Sequence, residues 1–182
     1  MATIMADIER ILKELEARNE KGHYFNIQKD AGRLLQMIVK IKQPKSVIEV
    51  GSSNGYSSIL MASAWKAKVF TFELDKNKAE EARDNFKKSG LKNIKLIEGD
   101  ALELLKNFKT KADMIFLDAR KRDYLKYFKL LEKNMNNNCL VIADNVISHS
   151  EKVKDYLGYV KTNYDSVTLN IGSGLELTVK CM

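Results

Sequence analysis

Residues 46–75 read SVIEVGSSNGYSSILMASAWKAKVFTFELD, and this stretch decides the fold. SVIEV is a short, nearly continuous apolar run, the pattern of a strand buried on both faces. The loop GSSNG follows it. YSSILMASAW is long and apolar enough for a buried helix, and KVFTFEL is rich in the β-branched and aromatic residues of a second strand. A strand, a helix and another strand at this spacing make a βαβ unit with parallel strands.

The alternation continues outward. KNKAEEARDNFKKS (76–89) is a helix stopped by Gly90, IKLIE (94–98) a strand and ALELLKNF a short helix. ADMIFLD (112–118) is a strand before the helix KRDYLKYFKLLEK. Asn136-Asn137-Asn138 reads as a short turn, CLVIA (139–143) as a strand and EKVKDYLGYVKTNY as a helix. SVTLNI (166–171) and GLELTVK (174–180) form a terminal hairpin, because no helix fits between them. Toward the N-terminus, apolar spacing predicts an amphipathic helix over about 4–20 with Gly22 as its stop. A second runs over about 30–42, and Pro44 prevents its continuation. The expectation is an α/β fold with a Rossmann-like, doubly wound sheet and one antiparallel strand. At about 150 residues per domain, residues 1–182 form a single domain with residues 1–22 as an N-terminal accessory helix.

Composition removes several classes. No apolar run approaches the roughly 18 residues of a membrane span. Asp7, Glu9 and Glu14 interrupt the N-terminal apolar residues, unlike a signal peptide. Cys139 and Cys181 have neither metal spacing nor a disulfide framework, and Cys139 reads as a buried thiol; a cytoplasmic protein is expected. The chain carries 31 basic and 24 acidic residues, a net charge of +7. Residues 61–130 hold 17 of the basic and 11 of the acidic groups, so most of the surplus lies there. Lysine supplies 25 of the basic residues and arginine 6, which disfavours base-reading contacts.

In an open parallel sheet, ligands bind beyond the carboxyl ends of the strands. Those ends carry Glu49 with Gly51 and Gly55, then Glu73, Asp100, Asp118, and Asp144 with Asn145. Gly-x-x-x-Gly lets the backbone turn closely, but it is not the three-glycine pattern that cradles a pyrophosphate. Glu73, 22 residues after Gly51, is placed to accept both hydroxyls of a ribose. A nucleoside without a pyrophosphate follows, and S-adenosylmethionine is the obvious one. Asp118, Asp144 and Asn145 come from neighbouring strands and offer only hard oxygens, a set suited to Mg²⁺, Mn²⁺ or Ca²⁺ rather than zinc. Lys121 reads either as a surface lysine in the run RKR or as a general base. His149 either lines the mouth of the site or belongs to a solvated loop; His23 is the other histidine.

Over about residues 28–182 the ordered set resembles the cation-dependent O-methyltransferases of the catechol and caffeoyl-CoA type. SVIEVGSSNGYSS is similar to the family's first motif, TFELD to its ribose-binding acid, and EGDA to its adenine-side loop. DARKRDYLKYF resembles D-A-x-K-x-x-Y-x-x-Y, LVIADNV the metal-binding strand end, and GSGLELTVK the closing strand. The resemblance implies strand order 3-2-1-4-5-7-6 with strand 7 antiparallel. It makes Asp118, Asp144 and Asn145 metal ligands and Lys121 the catalytic base. It sets Glu49, Gly51, Ser52, Gly55, Tyr56 and Ser57 around S-adenosylmethionine, with Glu73, Leu74, Gly99, Asp100, Ala101 and Asp118 completing that site. Lys121, Asn145, His149 and Glu176 would meet the substrate, Glu176 holding its second hydroxyl. A homodimer is also implied. Arg120 departs from a frequent Asp, Asn137-Asn138 from Gly-Gly, and Ser173 from Asp. Segments that cover the substrate in relatives are short here, so an open pocket is expected.

Three functions compete on this reading. The first is Mg²⁺-dependent methylation of a small hydroxylated aromatic, a catechol-like diol or polyphenol. The second keeps the chemistry but uses a hydroxyuridine of tRNA, which the positive charge favours and scarce arginine disfavours. The third is a non-catalytic S-adenosylmethionine-binding module, against which the complete metal set and Lys121 argue.

Overall fold

The computed structural model describes residues 2–20 and 26–180. Its strands are β1 (Ser46–Val50), β2 (Lys68–Glu73), β3 (Ile94–Glu98), β4 (Ala112–Leu117), β5 (Met135–Asp144), β6 (Asp165–Leu169) and β7 (Leu175–Val179). They form one sheet in the order β3-β2-β1-β4-β5-β7-β6. β7 runs antiparallel to both β5 and β6, and the pairings among β1 to β5 are parallel. The order implied by the resemblance is therefore the one present.

The helices are α1 (Ala2–Glu20), α2 (Lys29–Lys42), α3 (Tyr56–Ala64), α4 (Lys76–Ser89), α5 (Ala101–Leu104), α6 (Tyr124–Leu131) and α7 (Ser150–Asn163). Local chemistry sets their ends. Asp75 caps α4 by accepting from Asn77 N at 2.9 Å and Lys78 N at 3.2 Å, and Gly90 ends it at φ 68°. Gln43, at φ 50°, ends α2 one residue before Pro44. The stretch expected as one helix over KRDYLKYFKLLEK is α6 flanked by single 3-10 turns at Lys121–Asp123 and Glu132–Asn134.

Both faces of the sheet are covered. Val47, Val69, Met114, Phe116 and Ile142 pack beneath α1, α2 and α3. Ile48, Val50, Ile115, Leu117, Val141 and Ala143 pack beneath α6 and α7 on the other face. This is why the strands read as unbroken apolar runs. α1 packs on its own domain: Ile8, Ile11 and Leu15 are buried, and Tyr56 Oη donates to Glu16 Oε1 at 2.8 Å. Gly22, His23 and Cys181 lie outside the described residues. Cys139 is a buried free thiol, its pKa pushed up to about 12 by burial. Among the described residues no helix is long and apolar enough to cross a membrane.

One expectation is corrected. Asn136-Asn137-Asn138 is not a turn before a strand but part of β5. Ala112 pairs with Met135 and Met114 with Leu140, so β5 carries extra residues in an irregular bulge. Asn138 takes φ 59° there, a conformation asparagine tolerates better than most residues.

Candidate active site

The carboxyl ends of the parallel strands surround a cavity of about 940 Å³. That is the upper end of the ordinary range for small-molecule sites. One half is built around Glu73 at the end of β2. Its carboxylate accepts from Ser53 N at 2.7 Å and from Asp75 N at 2.9 Å, so two backbone groups hold it before any ligand arrives. Leu74 beside it lines the cavity and is 55% exposed, an apolar surface free to cover a base. Gly99, Asp100 and Ala101 line the same half. Asp100 caps α5 by accepting from Leu102 N at 2.9 Å. Gly51 also faces the cavity; at φ 98° it brings the β1 loop so close to β4 that a Cβ would overlap the Asp118 carbonyl oxygen.

The other half stands on β4 and β5. Leu117 pairs with Ala143, so Asp118 and Asp144 follow side by side on neighbouring strands. Burial raises the pKa of both, and the charge of Asp118 raises that of Asp144 further. Asp144 Oδ1 is buried without a hydrogen-bond partner. Lys121 Nζ donates to Asp118 Oδ1 at 2.7 Å, with both side chains mostly buried. Asn145, at φ 64°, turns into the cavity wall; the adjacent Val146 N donates to Gly174 O at 3.0 Å and fastens the loop. Tyr124 Oη lies 3.1 Å from Leu117 O and 3.0 Å from Asp144 O, a clip across the ends of both strands.

Two carboxylates that repel each other, one with an unpartnered oxygen, and the amide that follows on the same loop are donors of the hard-oxygen chemistry that such cations take. Among the described residues no group of three His, Cys, Asp or Glu side chains forms a metal site, so any ion here would take the amide as its third protein ligand. His149 lines the mouth, its Nδ1 3.0 Å from Ser148 Oγ. Partial burial, with Lys152 and Lys121 nearby, holds its pKa below the usual histidine range.

Several residues expected near ligands stand elsewhere. Glu49 is fully buried beneath α3, where its carboxylate accepts from Ser57 Oγ at 2.5 Å and from Ser58 Oγ. Burial pushes its pKa up to about 7 against the pull of those hydroxyls and of Thr71. Ser52, Tyr56 and Ser57 are buried behind the cavity wall. Gly55 serves packing, since a Cβ there would lie 2.5 Å from Phe86 Cε1. Glu176 does not reach the cavity; it is fully buried and accepts from Ser166 Oγ at 2.7 Å and from Thr168 Oγ1 on β6. Conversely, Ser53, Lys78 and Tyr127 line the cavity without having been singled out. Tyr127 had a signal, as the last tyrosine of DARKRDYLKY; Ser53 and Lys78 had none.

Sheet order, strand-end acids and cavity together define a doubly wound α/β protein with its ligand site beyond the carboxyl ends of the parallel strands. The sequence profile of the O-methyltransferase family matches residues 2–170, and the chain belongs to that family. It is 32% identical over 129 residues to a catechol O-methyltransferase of Niastella koreensis, covering 67% of this chain and 58% of the relative. It is 31% identical over 148 residues to caffeoyl-CoA O-methyltransferase 2 of Petunia hybrida, covering 75% and 61%. The crystal structure of the O-methyltransferase from Bacillus cereus in complex with SAH matches with a TM-score of 0.81 at 24% identity, over 96% of this chain and 90% of that one; this is a likeness of fold. The chain spans about six tenths of the length of the curated relatives it matches.

Proposed function

We propose that the protein transfers a methyl group from S-adenosylmethionine to one hydroxyl of a catechol-like diol or polyphenol, using a divalent cation, Mg²⁺ or its analogues Mn²⁺ and Ca²⁺. The observation that carries this reading is the unpartnered, buried Asp144 Oδ1 beside Asp118, with Lys121 on the same carboxylate. Asp118, Asp144 and Asn145 would hold the cation, and bound there it supplies Lewis acidity toward a hydroxyl oxygen. The sulfonium donor supplies an electrophilic methyl.

The chain's own residues do the rest. Glu73 accepts from the ribose hydroxyls and Leu74 covers the base. Lys121 Nζ, in its neutral amine form, would take the proton of the acceptor hydroxyl and become the ammonium that pairs with Asp118. The acceptor oxygen bonds the methyl carbon as the carbon–sulfur pair leaves on sulfur, so a rigid wall that aligns the three atoms supplies much of the rate. The cavity is lined by four carboxylates (Glu73, Asp75, Asp100 and Asp118) against three cations (Lys78, Arg120 and Lys121). That near balance supports a small neutral acceptor over a tRNA, which would need a basic mouth.

A methyl-transfer screen of catechols, flavonoids and bulk tRNA, with and without Mg²⁺, tests this. Transfer to a vicinal diol should require Mg²⁺. Asp144→Ala should lose at least about 100-fold in activity, more than is usual for residues that only support a metal ligand. Full activity of that variant with EDTA present would overturn the metal-assisted mechanism.

A further inference from the structure

The surplus positive charge does not surround the cavity. Five adjacent strands in the order β3-β2-β1-β4-β5 begin at the opposite pole, and β7, running the other way, ends there. Each of these six has a lysine at that end: Lys92 two residues before β3, Lys68 first in β2, Lys45 just before β1, Lys111 just before β4, Lys133 two before β5 and Lys180 just after β7. Hydrogen bonds tie the row together. Val69 N donates to Asn93 O at 2.8 Å, Lys68 N to Lys45 O at 2.9 Å, Ser46 Oγ to Lys111 O at 2.6 Å and Lys111 Nζ to Lys133 O at 2.6 Å. With strands about 4.8 Å apart, the row is about 24 Å long.

Among the described residues none of these six ammoniums makes an ion pair. Where one is tied down, its partner is a carbonyl or a ring: Lys111 on Lys133 O, Lys133 on Lys106 O, Lys68 over the Phe70 ring. Asp113 is a carboxylate in this neighbourhood, and Lys45 N, Ser46 N and Asn136 Nδ2 occupy its oxygens. The row stops at β6, which begins with Asp165.

We infer that this pole docks the phosphate backbone of a nucleic acid along the lysine row, away from the cavity. A line of point charges suits a chain of phosphates, and the absence of arginine from the row suits binding without base reading. Anionic lipid fits less well, because it is held by basic residues together with apolar side chains that insert. Among the described large exposed apolar residues, Ile41 at the end of α2 lies near Lys45, while Met5, Leu74 and Ile147 stand on other elements, so the row has one apolar neighbour rather than an inserting face. The inference is independent of the proposed methyl transfer.

Fluorescence anisotropy of the full chain with a labelled single-stranded RNA of mixed sequence, and with duplex DNA, measures it, beside sedimentation with phosphatidylserine vesicles. RNA affinity should fall with salt at a log–log slope of about −4, six contacts at about 0.7 each. Lys68→Gln with Lys111→Gln should reduce that slope by about 1.4, while Lys152→Gln with Lys154→Gln on α7 should leave it unchanged. Both double variants change exposed side chains, and circular dichroism checks that they fold. No binding of either nucleic acid at about 0.05 M salt would overturn the inference. So would an unchanged slope in the first double variant, an equal loss in the second, or retention on vesicles alone.

Discussion

Glu73 and Glu49 stand at the ends of adjacent strands and have opposite fates. Glu73 keeps its carboxylate at the cavity edge, held by Ser53 N and Asp75 N. Hydrogen bonds to a charged acceptor contribute about 1.5–3 kcal/mol, so Glu73→Gln should weaken SAH binding roughly tenfold to hundredfold in calorimetric titration. Unchanged affinity would remove Glu73 from the ribose site. Glu49 is held inside, and its proton is bound more tightly in the folded chain than in the unfolded one. Its contribution to stability is therefore fully present below about pH 4.5 and lost as pH rises through about 7. The span corresponds to about 3 kcal/mol. Urea unfolding should show Glu49→Gln gaining on the wild type by about that amount between acid pH and pH 8. A difference that ignores pH would mean the carboxylate is ionised without penalty.

Between β4 and β5 the element that matters is the clip. Both strands end in a carboxylate, and Tyr124 Oη sits against a carbonyl of each. Its ring is packed edge-on against Tyr156 at 5.8 Å, so Tyr124→Phe keeps the packing and loses only the hydroxyl. The expected cost is about 1 kcal/mol of unfolding free energy, read as a lower denaturant midpoint at unchanged slope. Mn²⁺ affinity should fall by about tenfold, the lower end of what residues supporting a metal ligand contribute. Loss of stability with unchanged Mn²⁺ affinity would leave Tyr124 a packing residue. The start of β5 teaches a different lesson. Three asparagines look like a turn because they lack apolar side chains, yet β4 pairs on either side of them and Asn138 N donates to Lys180 O at 3.0 Å, so they continue the strand as a bulge.

For the molecule as a whole, charge is divided between two poles. The cavity pole is near balance, while the opposite pole carries the lysine row. Turnover of a neutral diol should therefore depend little on salt: kcat/KM should change less than about twofold between roughly 0.05 and 0.2 M, since no long-range field steers it. A steep decline would place the functional positive field at the mouth.

Local pattern in the chain was enough for the alternating strands and helices, for the stop at Gly90, and for the row of acids at strand ends, but not for the cap that Asp75 makes. Those features depend on neighbours a few residues apart. Packing in three dimensions decided which acids share a space. Both faces of this sheet are covered, so an apolar run does not reveal on which side its one polar residue emerges. Glu49 and Glu176 turn into the interior, while Asp118 and Asp144 meet because β4 and β5 pair in register. Likewise, lysines scattered from Lys45 to Lys180 become a row only when the strand order sets their ends side by side.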